Sequence, residues 1–371
     1  MHFCIWRNAA DPVEEIVTRA KKGSTLAWDW WIVRGMTRAM FVLFLSVNLV
    51  LVGCGPRGFI TLVPTAKTDA VEAAVQTVFI ATDRRIEGTG PDGLIEQRFG
   101  EARDPHLRFG RIDISVPPVH VPGQIEWPGN RPPDPELHFV ARAGTRYANE
   151  HAFFRDIPRG DTGTVVLFIH GFNVNNAEAI YRLAQIAHDY KTETPVISFS
   201  WPSAGDARGY VYDRDSVIFA RDDLETLLVG LARDGRRTVI LAHSMGGQLV
   251  METLRQMSIS GKGDALRPID GVALISPDID EDVFLRQAKR ITPFPQPFML
   301  MVSKRDKALG LAALITGKPS RLGSIEDPSR LEGLPIEIID LSDIEGGDRA
   351  GHSTAFTAPA AIRLLQDLGP T

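Results

Sequence analysis

The chain has 371 residues, 44% hydrophobic and 23% charged, a balance that allows a large buried core and excludes a disordered polar chain. Its formal net charge of -5 lacks the basic excess with which nucleic-acid binders replace phosphate counterions, so no nucleic-acid partner is expected.

Of the two cysteines, Cys4 lies in a Trp-rich leader and Cys54 ends the most apolar stretch of the chain, which begins at Met40 just after Arg34 and Arg38. That stretch is shorter than the roughly 20 residues needed to cross a bilayer, and it stops at small residues, as signal peptides do. Leu51-Val52-Gly53-Cys54 resembles a bacterial lipobox, in which the peptide is cut before the cysteine and the thiol is acylated. A secretory signal cut elsewhere and an uncleaved anchor helix are the other readings of the same pattern. Residues 1–35 are long for a basic lead segment, so translation could begin at Met36. Residues 1–53 are therefore expected to be leader, with Cys54 lipidated and the mature protein held on a membrane of the bacterial cell envelope, facing the periplasm. Cleavage there leaves no other cysteine for disulfides or a Cys-ligated metal, so the core must hold the fold.

Residues 54–160 are rich in Pro, Gly and Arg, with β-like runs at Thr77–Ala81 and Arg108–Val116 and loop clusters such as Trp127–Pro135. Such an extension can add edge strands or cover one end of a sheet. From residue 161 to 371 the pattern is regular. Apolar, β-rich runs recur at Thr164–Ile169, Pro195–Ser200, Thr238–Ala242, Gly271–Ser276, Pro297–Ser303 and Pro335–Asp340. Between them, Ala177, Ile180, Tyr181, Ala184 and Ala187 share one helical face, as do Ala220, Leu224, Leu227, Leu228 and Leu231. Apolar strands alternating with helices predict an α/β fold with a mostly parallel sheet covered on both faces. Right-handed crossovers then gather the strand C-terminal ends on one edge, where such sheets keep their sites.

The third of these runs leads through Ala242-His243-Ser244-Met245-Gly246 into a helical stretch, Gln248–Met257. A serine on such a strand–turn–helix elbow is held in strained backbone with its hydroxyl clear of the sheet, and small flanking residues, here Ala242 and Gly246, let strand and helix approach. The general pattern has Gly where Ala242 stands. Ser244 is the candidate nucleophile, and a serine hydroxyl needs a base. Of nine histidines only His352 lies beyond Ser244, in the Gly-rich loop Glu345–Ser353 after the final strand run, a loop read as flexible enough to reach back over the sheet edge. His243, beside the serine, is expected to be structural.

A third group must orient the base, and two strand ends offer one: Asp306 and Asp278. Topology favours Asp306, the acid of the penultimate strand, while Asp278, Asp280, Glu281 and Asp282 are also explained as first-turn acids of the next helix. The oxyanion hole is expected from the N–H of Met245 and from Phe172, in the loop His170-Gly171-Phe172-Asn173, where Gly171 permits a tight turn. Trp201-Pro202-Ser203 lines the pocket mouth or caps a strand. Gly88–Gly93 matches a dinucleotide fingerprint as text, but Pro91 opens no helix, so it reads as a surface turn. No His-Glu-x-x-His, paired Cys-x-x-Cys or EF-hand pattern is present, and neither metal nor cofactor is expected.

The segments Phe168–Val174, Ser198–Ser203, Tyr212–Ser216, Leu241–Gly246, Ser276–Asp280, Ser303–Asp306 and Gly351–Ser353 together resemble a bacterial alpha/beta-hydrolase family of poorly defined function, described as esterase/lipase-like. The resemblance runs from about Thr77 to His352, most specifically after Thr164. It implies the alpha/beta-hydrolase fold, Ser244 as nucleophile, His352 as base and Asp306 as acid. It names no substrate and adds no cofactor. The expected activity is serine hydrolysis of carboxylic esters or related small acyl compounds. An acyltransferase or amidase with the same triad, or a non-catalytic envelope lipoprotein on this scaffold, would share the pattern.

Overall fold

A computed structural model describes residues 57–60, 62–63, 65–69, 71–87, 98–317 and 320–367. The leader, Cys54 and the Gly88–Gly93 turn lie outside these residues. Among these residues nine strands form one sheet: β1 (Ala74–Glu87), β2 (Arg98–Val116), β3 (Val140–Tyr147), β4 (Thr164–Ile169), β5 (Val196–Ser200), β6 (Arg237–His243), β7 (Ile269–Ile275), β8 (Phe298–Val302) and β9 (Glu337–Asp340). Their order is β3-β2-β1-β5-β4-β6-β7-β8-β9. From β1 to β9 all neighbours are parallel, while β1–β2 and β2–β3 are antiparallel.

All six apolar runs after residue 161 are strands; burial explains the first five, whereas β9, at the sheet edge, is mostly exposed. Val196–Ser200 is buried at every position, as a strand packed on both faces must be. Alternation sorts the side chains: Val165, Leu167 and Ile169 join the core on one face, while Phe168 joins that on the other.

The helices follow their sequence signals. Besides two four-residue turns at Thr65–Thr68 and Thr354–Thr357, those among the described residues are α1 (Glu150–Asp156), α2 (Asn176–Asp189), α3 (Tyr210–Arg233), α4 (Met245–Ile259), α5 (Glu281–Ala288), α6 (Lys307–Thr316) and α7 (Pro359–Asp367). Asn175 and Glu178 form a capping box that starts α2, satisfying backbone N–H groups the first turn leaves free. All five residues of the α2 stripe are buried, as are all five of the α3 stripe. Gly317 closes α6 in the left-handed region at φ 67°. Helices α3, α4 and α5 pack on one face of the sheet, and α2 packs on the other.

The 54–160 segment contributes more than edge strands. Of this segment's described strands only β3 is a sheet edge; β1 lies inside the sheet, paired to β2 on one side and β5 on the other. The sequence understates it because Arg98, Arg103, Arg108 and Arg111 break up the apolar pattern of β2. Pro105 falls where the β1–β2 register shifts between Thr82 and Arg84, the position in a sheet that tolerates a residue without an N–H.

Candidate active site

Strand β6 runs into α4 through a single residue, Ser244, at φ 54° and ψ -122°. That backbone region is strained for a residue with a side chain and persists only where the surroundings enforce it. Three hydrogen bonds do so: the Ser244 N–H donates to Ile275 O at 2.9 Å, and its carbonyl accepts from Gly247 N at 3.0 Å and Asp278 N at 3.1 Å. Gly246 is required by space, since a Cβ there would fall 2.4 Å from His170 O and 2.6 Å from Ile169 O. Gly171 is required for a reason other than the expected tight turn: its Cβ would meet the Ser244 Cβ at 2.8 Å, and it is Asn173, at φ 58°, that turns the loop. Met245 is the first residue of α4, so its N–H has no intrahelical acceptor.

His352 stands in the loop after β9, with Nδ1 2.6 Å from Asp306 Oδ2. Asp306, at the end of β8, uses its other oxygen to accept the Leu309 N–H at 3.0 Å and so caps α6. Asp278 is turned to other partners. Tyr210 donates its hydroxyl to Asp278 Oδ2 at 2.9 Å, and Arg321 Nε lies 3.2 Å from Oδ1. Of the two candidate acids, the structure therefore brings Asp306 to His352. The bland explanation of the neighbouring acids holds for Asp280, which caps α5 through the N–H groups of Asp282 and Val283, while Glu281 and Asp282 pair with Arg330.

His243 is structural in a specific way. Its Nε2 lies 3.1 Å from the His352 carbonyl and its ring 4.6 Å from the His352 ring, so it props the loop that carries His352. Burial, then the His352 ring beside it, push the His243 pKa well below its ordinary value and keep it neutral.

Four residues that sequence reasoning did not single out shape the site. Asp348 accepts the N–H groups of Ala350, His352 and Ser353, so the loop read as flexible is pinned at the histidine itself. Asp213, on α3, accepts from Asn173 N at 3.1 Å, Ser203 Oγ at 2.6 Å and Ala204 N at 2.6 Å, fixing the loop that holds Phe172. Arg84, fully buried on β1, donates to Ser200 Oγ at 3.0 Å, Gly100 O at 3.1 Å, Ser203 O at 3.0 Å and Val174 O at 2.8 Å. Desolvation lowers its pKa to about 10, which leaves it cationic. His170 stacks on Trp201 at 4.9 Å and takes its indole N–H on the backbone carbonyl at 2.8 Å. Trp201 is thus fully buried behind the loop and does not line a pocket mouth. Burial, then Arg84, lower the His170 pKa to about 3. Asp213 was visible only inside the Tyr212–Ser216 segment, and nothing in the local sequence marks Arg84.

Residues 145–368 match the family described as alpha/beta hydrolase of unknown function, DUF900. The chain belongs to that family. The match includes Phe172, Ser244, Met245, Asp306 and His352. Solved structures similar to this chain include a predicted CIB-like hydrolase from Thermoplasma acidophilum at 16% identity, covering 80% of this chain and 98% of that one with a TM-score of 0.33. Aspergillus fumigatus lipase B shares 15% identity, over 60% of this chain and 58% of its own, with a TM-score of 0.37. An esterase from the archaeon Pyrobaculum calidifontis shares 10%, over 82% and 86%, with a TM-score of 0.33. No curated protein matches the sequence. Among the described residues, no helix is long and apolar enough to cross a membrane.

Proposed function

We propose that this DUF900 alpha/beta hydrolase is a serine esterase that works through an acyl-enzyme on Ser244. The observation that carries the reading is the strained elbow at Ser244, at φ 54°, whose neighbour His243 packs its ring 4.6 Å from that of His352, a histidine with Nδ1 2.6 Å from a buried carboxylate. In this mechanism His352 takes the Ser244 proton as the hydroxyl attacks the acyl carbonyl, and Asp306 holds the imidazole in its tautomer and stabilises the imidazolium. The N–H groups of Met245 and Phe172 receive the oxyanion. His352 then returns the proton to the leaving alcohol, and water, activated by the same base, releases the acid. Carboxylic esters of small acyl compounds are the expected substrates.

Labelling of the full-length protein with a fluorophosphonate probe tests this reading. Ser244-dependent labelling, slowed in His352→Ala, is expected; a wild-type protein that does not label, or a Ser244→Ala variant that still does, would sink it. We further propose that Cys54 is lipidated and holds the enzyme at the periplasmic face of the cell envelope, a reading supported by Leu51–Cys54 and the apolar run before it. Mass spectrometry of the mature N-terminus should find acylated Cys54 as the first residue.

A further inference from the structure

The loop that joins β2 to β3 lies against the last turn of α2, and there His120, His188 and Asp189 each offer one ligand atom within 4.8 Å of the others. We propose that His120 Nε2, one ring nitrogen of His188 and Asp189 Oδ1 bind a divalent transition-metal ion of the Zn2+ type, with water as the fourth ligand. The donor set is two imidazoles and one carboxylate, which suits zinc and its neighbours and disfavours Ca2+ and Mg2+, whose sites are built from oxygen.

Each buried ligand is already oriented from behind. Glu126 Oε2 lies 2.9 Å from His120 Nδ1; with the proton on Nδ1, the Nε2 lone pair is left for a metal, the carboxylate–histidine arrangement common behind zinc ligands. Asp189 Oδ2 accepts the Gly123 N–H at 2.6 Å and is held by the Gln185 side chain, which aims Oδ1 at His120 Nε2, 2.8 Å away. Phe139 packs edge-on to the His120 ring at 5.2 Å. The His188 ring also stands edge-on to His120, at 5.2 Å, and makes no side-chain hydrogen bond among the described residues. His120 with its two carboxylates would make a complete ion pair without it. The second imidazole is thus surplus to a salt bridge and is what a metal site needs. His188 is only half buried, which provides the entry path. A bound ion displaces the His120 Nε2 proton to solvent, replaces the hydrogen bond it made to Asp189 Oδ1, and clips the 117–139 loop to α2.

The test is titration of metal-free, full-length protein in detergent with Co2+ and Zn2+, read by cobalt d–d absorption, calorimetry and thermal unfolding. One ion per chain, a tetrahedral cobalt spectrum and a raised unfolding temperature are expected. His188→Ala and His188→Gln should lose all three while the metal-free protein unfolds as the wild type does, since His120 keeps both carboxylates. Glu126→Gln should weaken affinity by about 10–100-fold, and Ser244→Ala should leave it unchanged. No binding, or binding that survives both His188 substitutions, overturns the proposal.

Discussion

At the scale of single residues, Asp306 divides its two oxygens between a helix cap and the His352 imidazole, whereas Asp278 divides its own between Tyr210 and Arg321. The two carboxylates are therefore separable by mutation. Asp306→Asn should cut kcat by about 10^4-fold, as losing the orienting acid does in serine hydrolases, whereas Asp278→Asn should leave turnover within about tenfold and cost stability instead, through the unpaired Arg321. Rates measured on an activated ester beside urea unfolding would separate them. The two buried histidines make a second prediction. Both His170 and His243 have folded pKa values held below the unfolded value of about 6.5, so below that pH the unfolded chain takes up protons the folded chain refuses. Stability is full above pH 6.5 or so and should fall, as pH drops toward 3, by about 1.4 kcal/mol per pH unit for His170, and His243 adds a loss of the same sign. His170→Asn should flatten the slope by one such share in urea titrations between pH 4 and 7.

At the scale of elements, the site depends on how closely the turn after β6 passes the loop after β4. A Cβ on Gly246 would overlap two backbone carbonyls that cannot move aside. Gly246→Val should therefore destabilise by more than the about 1–3 kcal/mol usual for overpacking and abolish probe labelling, checked by thermal unfolding of the purified variant. This elbow was legible from sequence because strand, serine, glycine and helix stand within one short segment. So were the six strands after residue 161, each an apolar run between Gly, Pro or Asp. The clamps on the elbow's surroundings were not legible. Arg84 fixes the Phe172 loop through groups 90 to 119 residues away in sequence, and such pairings exist only once the sheet order is known. Asp348, in a Gly-rich stretch, reads as solvated loop until its three N–H partners are seen.

At the scale of the whole molecule, the family match begins at residue 145, yet the sheet does not. A chain trimmed to residues 145–371 would leave β5, buried at all five positions, without its β1 neighbour. An apolar, unpaired strand edge is a template for association, so the trimmed protein should aggregate where the full-length chain does not, as light scattering of the two at equal concentration would show.

The same pairing bears on the order of events in folding. β1 and β2 are antiparallel neighbours in sequence and can pair early, but β1 meets β5 only at a sequence separation of 118. Contacts so distant in sequence are slow to form, because the chain pays the closure entropy before the contact rewards it. During synthesis the open side of β1 must wait until Ser200 has emerged, and for that interval the nascent chain carries an exposed strand edge that a chaperone would need to shield.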